Sequence, residues 1–174
     1  CDRASRVVEQ LLTLARVDGP QDVVSEPFRL DQLAQQVMAD LTPDALRRGQ
    51  TLELLAPEAI EIHGQSTLWQ ILLRNLIDNA LRYSPDGSVV RIEAQRLDPR
   101  HVQVTVQDSG PGLASADMAR LGERFFRVLG NSATGSGLGW SIVRHIASLQ
   151  QVEVQVGKSA DLGGLQVTLR YPHA

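Results

Sequence analysis

The chain has 174 residues, 43% of them apolar, enough for one domain with a full core plus a short appendage. A net charge of −3, no run of like charges and only seven aromatic residues exclude a general affinity for nucleic acid and a base-stacking surface. No apolar stretch approaches the ~20 residues that span a bilayer, so this portion is expected in water, meeting a membrane only through segments it lacks.

The single cysteine is Cys1, which forbids an internal disulfide and fits a reducing compartment. A start in mid-pattern, without Met, is expected of a portion of a longer protein. Residues 2–18 read as a helix with Ala4, Val7, Val8, Leu11, Leu14 and Ala15 on a heptad seam. That seam fits a terminal helix packed on its own domain or a helix of a dimeric bundle. Asp18-Gly19-Pro20-Gln21-Asp22 then breaks it, so residues 19–25 are expected to be a linker and 26–174 the main domain.

Asp31 is placed to cap a helix running to about Arg48, with Leu33, Val37 and Leu41 on one stripe. Short strands are expected at Thr51–Leu55 and Ile60–His63, then a helix from about Ser66 to Tyr83, stopped by the turn Ser84-Pro85-Asp86-Gly87. Ser88–Leu97 and His101–Asp108 alternate as two strands around Asp98-Pro99-Arg100. Residues 109–137 read as one long functional loop, followed by a helix from about Leu138 to Gln150. Val152–Val156 and Leu165–Tyr171 close the chain as a strand pair turning near Gly163-Gly164. Three helices and four or five strands in hairpin-like pairs predict an α+β two-layer sandwich.

Four short motifs fall in order on these elements. Asn75, Asn79 and Arg82 share one face of their helix, close to an apolar stripe. Amides so placed need partners, at ~1–3 kcal/mol for each one left unsatisfied and buried. Phosphate oxygens with a hydrated Mg²⁺ supply them; so would neighbouring backbone. Asp108 ends a strand, and Gly110 and Gly112 open the loop after it. A carboxylate there can accept the exocyclic amine of adenine and select against guanine, which offers a carbonyl instead, though Asp and Gly also crowd ordinary turns.

Arg124 and Arg127 flank Phe125 and Phe126, as in a loop latched by aromatics whose arginines meet phosphate, or as in an amphipathic turn tucked into the core. Gly135, Gly137 and Gly139 precede a helix whose N-terminal amides suit an anion. No Gly-Lys-Ser/Thr follows, so this is no Walker loop, and no strand leads into it, so it is no dinucleotide fingerprint. Together the four motifs read as an ATP site.

With these residues in view, residues 25–172 resemble the catalytic and ATP-binding domain of a bacterial sensor histidine kinase. The N box is Asn75–Pro85, the first glycine box Asp108–Gly112, the F box Glu123–Val128 and the second glycine box Gly135–Gly139. The wording around them is similar to the quorum-sensing and polymyxin-resistance group. Residues 2–18 resemble the end of the second helix of the dimerisation domain. The resemblance implies the Bergerat-type sandwich shared with gyrase, Hsp90 and mismatch-repair ATPases, a mostly antiparallel mixed sheet covered by three helices.

It further implies Asn79 as main Mg²⁺ ligand with Asn75 beside it, and Arg82 and an F-box arginine, Arg127, near the transferring phosphate. Tyr83, Leu113, Arg124, Phe125, Ser136 and Leu138 join the nucleotide-contacting set. Asp108, Gly110 and Gly112 shape the base pocket, and Gly135, Gly137 and Gly139 wrap the phosphates beneath a mobile lid. The implied partners are a response regulator, the protein's own dimerisation domain and a second protomer, in the cytoplasmic portion of an inner-membrane sensor.

Three departures accompany the resemblance. His63, His101, His145 and His173 are the only histidines, and none begins a phosphoacceptor box. Leu149-Gln150-Gln151 stands where many relatives have His-Gly-Gly, at a turn expected to be remote from the nucleotide. Trp140 stands where leucine is common, either restraining the lid or simply packing. Alternatives to the kinase are a degenerate nucleotide-binding module and a hydrolysing ATPase of the gyrase and Hsp90 kind. Those ATPases place a water-activating glutamate where this chain has Asn75, an amide that cannot act as a general base.

Overall fold

The computed structural model describes residues 25–121, 123 and 138–172. The helix expected over 2–18 and most of the linker lie outside the described residues. So do Arg124, Phe125, Phe126, Arg127, Gly135, Ser136 and Gly137. Strand β1 (Glu26–Arg29) leads directly into helix α1 (Leu30–Arg47), followed by β2 (Thr51–Leu55), β3 (Glu61–Gly64) and helix α2 (Ser66–Tyr83). Next come β4 (Val89–Asp98), β5 (His101–Asp108), the short helix α3 (Ser115–Arg120), helix α4 (Gly139–Leu149), β6 (Glu153–Lys158) and β7 (Leu165–Pro172).

Five strands form one sheet in the order β2-β4-β5-β7-β6, with β2 parallel to β4 and the other neighbours antiparallel. β1 and β3 pair antiparallel as a separate ribbon. Period-two alternation sends Val90, Ile92, Val102, Val104, Val106, Val167 and Leu169 to the helix-covered face. The other face carries Arg91, Glu93, Thr105, Gln107 and Thr168, tied by bonds such as Gln107 to Glu93 at 2.9 Å. Helices α1, α2 and α4 supply the second layer through Val37, Leu41, Leu72, Leu76, Ile77, Ile142 and Ile146, all buried. This is the expected α+β sandwich.

Three local expectations change. Asp31 does not cap α1: Arg29 holds that position without a side-chain cap bond, because β1 runs straight into the helix. The Asp31 carboxylate instead takes the Arg29 guanidinium at 2.9 and 2.6 Å and the Ile60 amide at 3.1 Å, pinning α1 to the chain before β3. β1 was not expected at all. Within the segment read as one loop, α3 forms a turn and a half with no buried residue, so no apolar stripe announced it.

At the end of α4, Gln151 takes φ 56°, the left-handed conformation that favours glycine. Gln150 accepts a bond from the Gln65 amide at 3.2 Å, joining the end of α4 to the start of α2. Trp140 packs partly buried against the core, which accounts for its bulk.

Candidate nucleotide-binding site

Helix α2 is the spine of the site. Its core face, Leu72, Leu73, Leu76, Ile77 and Ala80, is fixed by packing, and that fixes the direction of the neighbouring stripe carrying Asn75 and Asn79. Asn75 donates Nδ2 to the Ile71 carbonyl at 2.8 Å, one turn back, so its own carbonyl oxygen stays available. The Nδ2 of Asn79 is buried and has no partner among the described residues.

Both amides face the first residue of α4. A Cβ built on Gly139 would stand 3.3 Å from either amide atom of Asn79 and 3.4 Å from Asn75 Oδ1. The sequence-separated N box and the last glycine of the second glycine box therefore meet. The N-cap of α4, Leu138, makes no side-chain cap bond, and the helix directs its first amides and the positive end of its dipole here. Leu138, just before it, is buried in the core.

The donor set is a pair of neutral amides beside a helix N-terminus, and no cluster of three acidic, histidine or cysteine side chains exists among the described residues. Such a site cannot cage a bare cation. It fits a cation that arrives with phosphate oxygens already attached, and the orphaned Asn79 amide is a polar group in want of such a partner.

Asp108 forms the other end. It ends β5, 6% exposed, and its Oδ1 accepts the amides of Gly110 at 2.8 Å and Leu165 at 3.3 Å. Oδ2 is used by neither. Burial pushes this carboxyl above the ordinary carboxylate value, while the Gly110 and Leu165 amides and the Ser84 hydroxyl pull the other way. A Cβ on Gly110 would meet Asp108 Oδ1 at 2.8 Å and Ser84 Oγ at 3.0 Å, and Gly112 has φ +69° beside Gly164. Asp108 is thus closed in by the Ser84 side chain and by the glycine backbone at positions 110 and 164.

Tyr83 and Leu113 are half-buried on the two segments that flank Asp108. Arg82 is paired with Asp78 one turn back on α2. Its expected approach to phosphate is therefore a matter for exchange with that partner.

Two wall residues escaped sequence reasoning. Ser84 and Gly164 reach Asp108 from the end of α2 and from the β6–β7 turn, and the Gly163-Gly164 pair had signalled only a turn. Arg144 of α4 also donates to the Leu121 carbonyl at 2.8 Å, anchoring the last residue before position 122.

Comparison with known proteins decides the family. The profile of the histidine kinase-, DNA gyrase B- and HSP90-like ATPases matches residues 64–174. The chain belongs to that family. Within it, the chain is 43% identical over 175 residues to the sensor protein QseC of Salmonella typhi, covering 98% of this chain and 37% of the relative. It therefore spans little more than a third of the curated relatives it matches.

Among solved structures, the cytoplasmic segment of histidine kinase QseC is 32% identical with a TM-score of 0.64, over 99% of this chain and 95% of that one. Full-length ShkA in complex with AMPPNP gives 25% identity and a TM-score of 0.84, over 99% of this chain and 36% of that one. The expected family and fold both hold. The described residues contain no helix long and apolar enough to cross a membrane.

Proposed function

We propose that this chain is the ATP-binding kinase portion of a sensor histidine kinase. It presents the γ-phosphate of ATP to a histidine on a dimerisation domain, for relay to a response-regulator aspartate. The observation that carries the reading is the convergence of Asn75, Asn79 and Gly139 on the C-terminal half of α2 and of Asp108, Gly110 and Ser84 just past its end. Asn79 and Ser84 are five positions apart, about 7.5 Å of helix axis, room for a ribose between base and phosphates.

Asp108 accepts the adenine amine and gives a guanine carbonyl nothing to bond. The first amides of α4 take phosphate oxygens. Asn79, with Asn75 beside it, would hold Mg²⁺, which supplies neutralisation of the phosphate charge. Arg82, released from or shared with Asp78, adds a cation along the same face. Arg127, Arg124, Phe125, Gly135, Ser136 and Gly137 complete the phosphate side as family members of the F and second glycine boxes. Catalysis is then positioning plus charge stabilisation, with no covalent step on this chain.

Nothing at position 75 can activate water, which favours transfer over hydrolysis. The partners in this reading are a response regulator, the dimerisation domain to which residues 1–18 belong, and a second protomer. The setting is the cytoplasmic portion of an inner-membrane sensor.

Incubation with γ-labelled ATP, Mg²⁺ and a histidine-bearing dimerisation segment from a homologous kinase tests it. Acid-labile, base-stable label on that segment is the expected product. Release of label only as inorganic phosphate would instead support the hydrolase.

A further inference from the structure

Arg48 and Gln50 lie on the loop between α1 and β2 and make no hydrogen bond to Asn75, Asn79 or Asp108. Both reach the C-terminal end of α2. Gln50 is 4% exposed, and its Nε2 lies 2.9 Å from the Leu81 carbonyl, 3.2 Å from that of Ser84, 3.1 Å from that of Pro85 and 3.0 Å from the Ser88 hydroxyl. Arg48 donates Nη2 to the Ser84 carbonyl at 2.7 Å, Nη1 to the Leu81 carbonyl and Nε to Asp86 at 2.8 Å. Its own carbonyl accepts the Gly87 amide at 3.0 Å.

The last carbonyls of a helix have no internal partner. Here no left-handed glycine closes α2, and Ser84 follows it in extended conformation, φ −92° and ψ 147°. Two side chains more than thirty positions away in sequence do the capping instead. What they cap is the wall of the Asp108 pocket: Ser84 is 2% exposed, with Oγ 3.0 Å and Cα 3.3 Å from where a Cβ on Gly110 would stand.

We propose that Arg48 and Gln50 are positioning residues for the base pocket, clamping the Leu81–Pro85 carbonyls so that Ser84 stays against Asp108 and Gly110 and the adenine end of the nucleotide is gripped. The inference rests on Asp108 as the adenine acceptor. Without either donor, the Leu81 and Ser84 carbonyls each lose one of two partners and make up the loss by turning the Ser84 segment toward water, which moves the wall. Asn75 and Asn79 lie one to two turns earlier in the helix, so the phosphate end is spared.

Calorimetric titration of the chain with Mg·ATP, and separately with magnesium tripolyphosphate, which has the phosphates and no base, distinguishes the two ends. Gln50→Leu and Arg48→Met are expected to weaken ATP about fivefold to tenfold, with tripolyphosphate changed by less than about twofold. Arg48→Lys restores part of the loss. Arg48 is 35% exposed at its side chain, so Arg48→Met carries the test if Gln50→Leu fails to fold. Equal losses for both ligands overturn the inference. So does unchanged ATP affinity in these variants while Asp108→Asn loses it. Unchanged affinity in Asp108→Asn itself overturns the base-pocket reading instead.

Discussion

Gly164 donates its amide to the Asp108 carbonyl at 3.1 Å, and a Cβ on Gly164 would stand 2.2 Å from Asp108 Oδ1 and 2.3 Å from that carbonyl oxygen. The obstructing atoms include backbone, so Gly164→Ala forces the β6–β7 turn and β5 apart. A stability loss of about 1–3 kcal/mol is expected in thermal unfolding. An ATP affinity loss of about tenfold or more is expected by calorimetry. An alanine variant with native affinity would show that the turn does not fix the carboxylate.

Asp108 itself carries opposite predictions for stability and binding. Its folded pKa is raised, so its contribution to stability is fully present below the unfolded value and is lost as pH rises through the folded one. Asp108→Asn is therefore expected to melt higher than the parent at neutral pH while losing ATP affinity. In the parent, ATP binding requires the ionised acceptor and weakens as pH falls through the raised value. Scanning fluorimetry and titrations at several pH values check both signs.

Asp31 behaves the other way. The Arg29 guanidinium beside it is the main cause holding its carboxyl at about 2, against the ordinary 3.8. Its stabilisation is present above the ordinary value and lost as pH falls toward about 2. Asp31→Asn should cost about 1 kcal/mol at neutral pH, and its acid-unfolding curve should meet that of the parent at the acid end. A constant offset down to that end would contradict the pairing.

At the end of α4, Gln151→Gly relieves a left-handed conformation that costs an ordinary residue about 1 kcal/mol. A net rise of at most about 0.5 kcal/mol in stability is expected, after allowing for the greater unfolded-state freedom of glycine. ATP affinity should not change, since Gln150 joins α4 to Gln65 and the Gln151 amide bonds back to the Ser148 carbonyl, neither contact involving the asparagine pair.

Asn79→Ala is expected to remove the Mg²⁺ dependence of ATP binding. It should leave stability within about 1 kcal/mol, because its Nδ2 has no described partner to lose. Retained Mg²⁺ dependence would move the metal ligand elsewhere.

Much of the fold was legible because its elements obey strong local signals. Helix α2 was bounded correctly because an apolar stripe runs from Leu68 to Leu81 and Pro85 stops it. Asp108 and the paired asparagines were legible because short motifs carry them. β1, four residues containing Pro27, is too short to show alternation, and α3 buries nothing. Asp31 looked like a cap because a strand abutting a helix leaves no trace in sequence. Gly164, Leu165 and Gln50 were hidden for a different reason: they act on residues from 31 to 57 positions away. Only folding brings those contacts together.

Calorimetric titration of the chain with ATP, with and without Mg²⁺ and with GTP as comparison, tests the central claim most directly. Magnesium-linked binding of ATP that rejects GTP is the predicted result. Absence of ATP binding, or equal affinity for GTP, would contradict the assignment of Asn79 and Asp108 to the two ends of one nucleotide site.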